Sequence, residues 1–263
     1  MDIKTYVAEK KKQLASLIKE VGKTAHLVII QANDDPASDT YIRGKLADCQ
    51  EVGIKATHIK LTIDTSETEL LNIVKKYNED VSVDGIIVQM PLPKHISEET
   101  VKLAVDPRKD VDGFHPLSKF QTCTPKGIID FLSDAGFDFS GKNAIVIGRS
   151  NIVGKPLAAM LLAKHANVVM LHSRTKKEDM DFYLAHADLI CVAVGKKWLL
   201  DNQTLKKSAY VIDVGINRID GVLYGDARPQ LDVAFQTPVP GGVGLLTRFA
   251  LISNVWEAAN HGI

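Results

Sequence analysis

Short apolar runs alternate along the chain with segments of helical periodicity, and this alternation limits the possible folds more than any other feature. "AHLVIIQA" (25–32), "KATHIKLT" (55–62) and "VDGIIVQMPLP" (83–93) read as strands. Between and after them lie helix-like stretches. One runs from about Asp39 to Val52 and is closed by Gly53. The next is capped by Ser66 with Glu69 three places on, a capping-box spacing, and a short one covers 97–105. A second series follows, with strands at 142–148, 167–173, 188–195 and 209–217. Its helices are read at 124–136, from the "GKP" of 154–156 to about His165, in "KKEDMDFYLAHA", and at 247–263. The N-terminal "MDIKTYVAEKKKQLASLIKEV" reads as an amphipathic helix. Strands joined through helices form parallel sheets with helices on both faces. The expected fold class is therefore α/β with two domains: an N-terminal parallel α/β sheet and a Rossmann-like domain, with a cleft between them. The boundaries expected are 1–122 plus the closing helix 244–263 for the first domain, and 123–243 for the second.

Bulk properties exclude several functions. The 263 residues carry 32 basic and 32 acidic side chains. No net field favours nucleic acid or a membrane surface. No apolar run approaches the roughly 20 residues needed to cross a bilayer. Three separated cysteines, Cys49, Cys123 and Cys191, form neither a disulfide framework nor a zinc pattern, and no metal site is expected. The protein is expected in the cytoplasm.

Ligands of open parallel sheets gather beyond the C-terminal ends of the strands. "GRSNIVGKP" (148–156) stands at such an end, between an apolar strand and a helix with Pro156 in its first turn. It departs from G-x-G-x-x-G, reading Gly148, Ser150 and Val153, with the next glycine at Gly154. A plain strand-to-helix turn is the alternative. The following strand ends in "LHSRT", which has no acid where an NAD-type ribose partner would stand. Arg149, Ser173 and Arg174 offer donors for a 2′-phosphate instead, which selects NADP. "DVGIN", with Ile216, adds a further strand end suited to close approach by a nicotinamide.

In the first half, "SDTYIRGK" places Tyr41 and Lys45 four apart, on one helical face. Gln89 ends a buried strand, and Asp110 and Asp112 lie in a turn-rich loop. Taken singly, each also has an ordinary reading: a solvated face for the pair, turn chemistry for the aspartates.

Taken in order, "DDPASDTYIRGK", "DGIIVQMPLP", "KDVDGFHP", "GRSNIVGKP", "HSRT", "DVGIN" and "TPVPGGVG" resemble the methylenetetrahydrofolate dehydrogenase/methenyltetrahydrofolate cyclohydrolase family over nearly the whole chain. The resemblance implies a multifunctional enzyme of one-carbon metabolism, both oxidoreductase and hydrolase. It would oxidise 5,10-methylenetetrahydrofolate with NADP⁺, then hydrolyse the methenyl product to 10-formyltetrahydrofolate, which purine biosynthesis consumes. It further implies Lys45, Tyr41, Gln89 and Asp112 as catalytic residues. Gly148, Arg149, Ser150, Ser173, Arg174 and Ile216 would bind the cofactor. Tyr41, Asp112, Pro240, Gly241 and Gly242 would bind the folate. A homodimer is the expected assembly. The chain reads "GGVGLLT" where the family has "GGVGPMT", and joins "FHP" to "CTP" through the short "LSKFQT". A single-activity or catalytically silent folate- or NADP-binding paralogue is the alternative these differences leave open.

Overall fold

The computed structural model describes residues 2–260. The chain forms two compact units. One comprises Ala8–Cys123 with the chain from Arg248 onward, the other the residues up to Val7 with Thr124–Thr247.

The first of these is built on a parallel sheet of order β2-β1-β3, with β1 His26–Gln31, β2 Lys55–Lys60 and β3 Gly85–Gln89. β1 is buried along its whole length, as a central parallel strand must be when helices cover both faces. Alternation divides its side chains. Leu27 and Ile29, with Ile87 of β3, pack against Leu14 and Ile18 of α1 (Ile3–Val21), Ile42 and Cys49 of α2 (Pro36–Val52), and Leu251 and Val255 further along the chain. Val28 and Ile30, with Ile86 and Val88, pack on the other face against Leu70 and Val74 of α3 (Glu67–Glu79) and Val101 of α4 (Glu98–Ala104). Each such side chain contributes about 1.5–3 kcal/mol by leaving water, so the β1 register is fixed from both faces.

Two boundaries in this unit depart furthest from the sequence reading. α2 starts at Pro36, three residues before Asp39, because Asp35 caps it by accepting the N–H groups of Ala37 and Ser38, both at 3.1 Å. Proline at the first helical position suits that start. The third strand stops at Gln89, ahead of the prolines, which have no N–H to continue a ladder. Gly53 closes α2 at φ 86°, and Ser66 caps α3 by accepting the Glu69 N–H, as the sequence predicts.

The second unit carries a five-stranded parallel sheet of order β10-β7-β6-β4-β5. Its strands are β4 Asn143–Ile147, β5 Asn167–Leu171, β6 Leu189–Val192, β7 Tyr210–Asp213 and β10 Phe235–Gln236. The helices are α5 Cys123–Asp134, α6 Gly154–Ala163 and α7 Lys177–Ala185; α8, Val243–Asn260, closes the described chain. The order reverses direction between β4 and β6, which makes their C-terminal ends the topological switch point, where such sheets bind ligands.

"AYVIDVGIN" is not one strand, as the sequence reading has it. β7 ends at Asp213, and β8 Asn217–Ile219 pairs antiparallel with β9 Val222–Tyr224. The break falls at Gly215, whose Cβ position is filled by the buried Asp226 carboxylate. α8 begins at Val243, four residues ahead of the expected start, so Leu245 and Leu246 sit in its first turn. The expected helical residues 261–263 and Met1 lie outside the described chain.

Candidate functional site

The switch point of the second unit gathers the cofactor residues predicted from sequence. Gly148 follows β4 with φ 126°, a conformation side-chain-bearing residues rarely adopt. A Cβ there would overlap Ala193 O at the end of β6 and stand 3.1 Å from its carbonyl carbon. A Cβ on Gly154 would overlap Gly148 O and lie 3.0 Å from Arg149 N. Both glycines therefore permit a close approach of helix, turn and strand, which is what the dinucleotide glycines accomplish. Ser150 Oγ accepts from Val153 N at 3.1 Å and Gly154 N at 3.3 Å, so the serine ties the turn to the start of α6.

Beside it, β5 ends at Leu171 in register with Ile147. His172 Nδ1 accepts the Arg174 N–H at 3.2 Å, and Thr175 closes the same turn. Ser173 and Arg174 project from it exposed, as does Arg149 from the neighbouring turn. Among the described residues neither arginine is engaged in an ion pair, and two free guanidinium groups beside a glycine cradle fit a phosphorylated dinucleotide. Ile216 is 48% exposed after β7.

Asp226, which the sequence reading did not single out, organises this end of the sheet. It is fully buried and accepts from Val194 N at 2.7 Å, Gly195 N at 2.9 Å, Lys196 N at 2.7 Å and Asn217 Nδ2 at 3.0 Å. Asp213, also buried, accepts from Gly215, Asp226 and Ala227 N–H groups. Burial, reinforced by Asp226, pushes its carboxyl up to about 6 against the pull of those donors. Glycine 215, with no room for a side chain, was the sequence signal for this buried acid.

The other unit collects Tyr41, Lys45, Gln89 and Asp112. α2 carries Tyr41 and Lys45 one turn apart, both half-buried. Lys45 Nζ donates to Gln89 Oε1 at 3.1 Å. The amide's orientation is set by its other end, because Gln89 Nε2 donates to Met90 O at 2.8 Å. Asp112 lies beside Cys123, whose thiol hydrogen bonds to Val111 O at 3.3 Å with Asp112 Oδ1 at 3.7 Å. Lys45 and Asp112 act on that thiol in opposite senses, the carboxylate raising its pKa and the ammonium lowering it. Met90, Asp110, Asp112, Phe114 and Lys102 line a hollow at the edge of β3.

Electrostatics sort the groups. Burial raises the Tyr41 phenol above its ordinary value, opposed by the positive charge of Arg248. The Cys49 thiol is pushed up to about 12, and Cys123 is raised well above a normal thiol, both by burial first. Neither cysteine is a thiolate near neutrality, which removes both as nucleophiles. Burial raises Asp110 to about 6, with Asp112 adding to the rise and the His115 N–H at 2.7 Å opposing it.

Pro240, Gly241 and Gly242 belong to the unit with the five-stranded sheet, in the turn preceding α8. Sequence reasoning missed Asn254, which is buried on α8 and donates to Val111 O at 2.9 Å and Gln121 O at 3.1 Å, pinning the loop that holds Asp112. Among the described residues no cluster of His, Cys, Asp or Glu is disposed to hold a metal ion, and no helix is long and apolar enough to cross a membrane.

A doubly wound sheet with a glycine-lined turn at its switch point marks the class of nucleotide-binding folds, and the same chain carries a lysine–glutamine pair in its other unit. Residues 1–112 match the model for the tetrahydrofolate dehydrogenase/cyclohydrolase catalytic domain, and residues 122–262 that family's NAD(P)-binding domain. The chain belongs to the tetrahydrofolate dehydrogenase/cyclohydrolase family. It is 46% identical over 255 residues to the bifunctional protein FolD of Brevibacillus brevis, covering 92% of this chain and 89% of that protein. The crystal structure of the bifunctional FolD methylenetetrahydrofolate dehydrogenase/cyclohydrolase from Campylobacter jejuni superposes with a TM-score of 0.95 at 39% identity, over 100% of this chain and 98% of that one. The Trypanosoma brucei enzyme, solved with NADP cofactor and an inhibitor, gives a TM-score of 0.95 at 27% identity, over 99% and 97%.

Proposed function

We propose that this chain oxidises 5,10-methylenetetrahydrofolate with NADP⁺ and hydrolyses the resulting methenyl cation to 10-formyltetrahydrofolate. The observation that carries the reading is the Lys45–Gln89 pair at the end of β3, with Asp112 in the same unit beside Cys123, in a chain whose two halves both match the family. Gln89, oriented by Met90 O, holds the lysine nitrogen at a fixed point. Lys45 there takes the proton of the attacking water and returns it as the ring opens. Asp112 accepts from the amino and ring N–H groups of the pterin. Tyr41, kept a phenol by burial, packs against the pterin ring with its O–H free to donate. Pro240, Gly241 and Gly242 border the folate.

The second unit's turn supplies the cofactor contacts. Gly148 and Gly154 let the backbone approach the pyrophosphate, Ser150 keeps the turn folded, and Ile216 lines the nicotinamide side. Arg149, Ser173 and Arg174 hold the 2′-phosphate through charge-assisted hydrogen bonds. NADP⁺, when bound, supplies the hydride acceptor. On this reading the Ala8–Cys123 unit is the folate domain and the Thr124–Thr247 unit the cofactor domain. The chain works in the cytoplasm as a homodimer with no nucleic-acid or membrane partner, in keeping with its balanced charge, and its product feeds formyl transfer in purine synthesis.

Lys45→Met tests the assignment. Hydrolysis of the methenyl substrate should disappear while NADP still binds; retained hydrolysis would place the proton carrier elsewhere.

A further inference from the structure

Gly44 stands in the interior of α2, where glycine costs about 1 kcal/mol of helix stability relative to alanine. It is neither a cap nor a turn. Its place is explained by Arg248 of α8, whose guanidinium occupies the volume a Cβ would need, with Nη1 overlapping that position and Cζ 3.0 Å from it. Tyr41, Gly44 and Asp48 fall at i, i+3 and i+7, a single row along the helix. The arginine lies along this row. Its Nε is 3.1 Å from Asp48 Oδ2, an ion pair whose direction does not complete a hydrogen bond, so that oxygen has no hydrogen-bond partner. Asp48 is 3% exposed and Lys11 holds its other oxygen. The carboxylate thus anchors the Nε edge while Nη1 sits over Gly44, one turn from Tyr41 on the same row, and the charge of the guanidinium acts on the phenol.

We propose that Arg248 is a positioning residue for the hydrolytic step: lodged in the notch at Gly44 and anchored on Asp48, it fixes the Tyr41 ring and the turn of α2 that carries Lys45. A guanidinium suits the task because it is planar and permanently charged, so it fills a flat notch while keeping its charge against Asp48. The proposal rests on the functional reading above, which assigns Tyr41 and Lys45 to the reaction.

Two opposite substitutions empty the notch of its guanidinium. Gly44→Ala removes the space, and Arg248→Met removes the group. Each should lower kcat for methenyl hydrolysis roughly tenfold, since misplacement of about 1 Å is costly in catalysis. The KM for NADP should stay within about twofold, because that cofactor binds to residues of the other unit. The Gly44→Ala/Arg248→Met double variant should be no slower than either single one, because both act through one contact. Arg248→Lys should recover part of kcat by keeping a cation on Asp48. Melting temperatures of all variants control for folding, and Gly44→Ala should not melt below the parent by more than a few degrees. Unchanged kcat in both single variants overturns the proposal. So do losses that multiply in the double variant. If the parent protein hydrolyses no methenyl substrate, the functional reading fails. The placement claim is then decided by a crystal structure of Gly44→Ala: a displaced Tyr41 ring supports it, and an unmoved ring overturns it.

Discussion

Gly154→Ala separates a cofactor turn from an ordinary strand-to-helix connection. At most helical positions this exchange stabilises, by up to about 1 kcal/mol. Here the added Cβ would overlap Gly148 O and stand 2.7 Å from the Gly148 carbonyl carbon, against ordinary contact beginning at 3.4 Å. Both neighbours are backbone, so no flexible side chain can yield. The first turn of α6 and the Gly148–Arg149 peptide must part by about 1 Å to restore contact distance to Gly148 O. Overpacking of this kind costs about 1–3 kcal/mol, enough to cancel the helix gain and leave a small net loss of stability. The larger effect is functional. The parting moves the amides at the head of α6 and the base of Arg149, so NADP should bind about tenfold or more weakly, roughly 1.4 kcal/mol per tenfold. The assay is the dehydrogenase KM for NADP⁺ together with the melting-temperature shift on adding NADP⁺. Methenyl hydrolysis, which uses no nicotinamide, should suffer far less. An alanine variant with the parent's KM for NADP⁺ and the parent's thermal shift would refute the cofactor assignment of "GRSNIVGKP".

Other outcomes follow from the same geometry. Replacing Arg149 and Arg174 together with alanine should weaken NADP by about 2–4 kcal/mol while leaving NAD nearly unchanged, measured by titration with both cofactors; equal losses would remove the 2′-phosphate assignment. Asp226→Ala strips the acceptor from three backbone N–H groups and Asn217, and should cost about 3 kcal/mol or more in denaturant unfolding, with a loss under 1 kcal/mol counting against its role as the clamp of that loop. Asp110 gives a pH signature. Its carboxyl is raised from 3.8 to about 6 in the folded protein, chiefly by burial. The native state therefore holds the proton more tightly, and the stability this lends is complete below about pH 4 and lost as pH rises through 6. Asp110→Asn should gain on the parent by an amount on the order of 3 kcal/mol between pH 4 and 7, and a stability difference that does not change with pH would contradict the burial account.

β1, β3 and β4 to β7 were readable because their cores are continuous apolar runs, and the two-faced burial of Val28 to Ile30 requires such runs. Helix starts were less readable. The sequence reading starts α2 at about Asp39, whereas the chain starts it at Pro36, behind the cap of Asp35. β10 has two residues and no pattern of its own, and the bend after Asp213 depends on an acid thirteen residues further on. The same distinction divides the site. Tyr41, Lys45, Gln89 and Asp112 stand in motifs, and the structure joins two of them, forty-four residues apart, through the Lys45–Gln89 bond. Asp226, Asn254 and Arg248 belong to no motif. Their roles arise from packing: a glycine with a carboxylate in its Cβ position, a buried amide on a helix, and a guanidinium over a bare helical turn. Interior glycines at Gly44 and Gly215 were the visible traces of two of them.

The most direct measurement mixes the purified protein with 5,10-methylenetetrahydrofolate and NADP⁺ or NAD⁺, following reduced cofactor and methenyl absorbance separately. The account predicts reduction of NADP⁺ in preference to NAD⁺, no accumulation of the methenyl form, and 10-formyltetrahydrofolate as the product. Reduction with methenyl accumulating would contradict the assignment of Lys45 and its neighbours to hydrolysis, and absence of cofactor reduction would contradict the account as a whole.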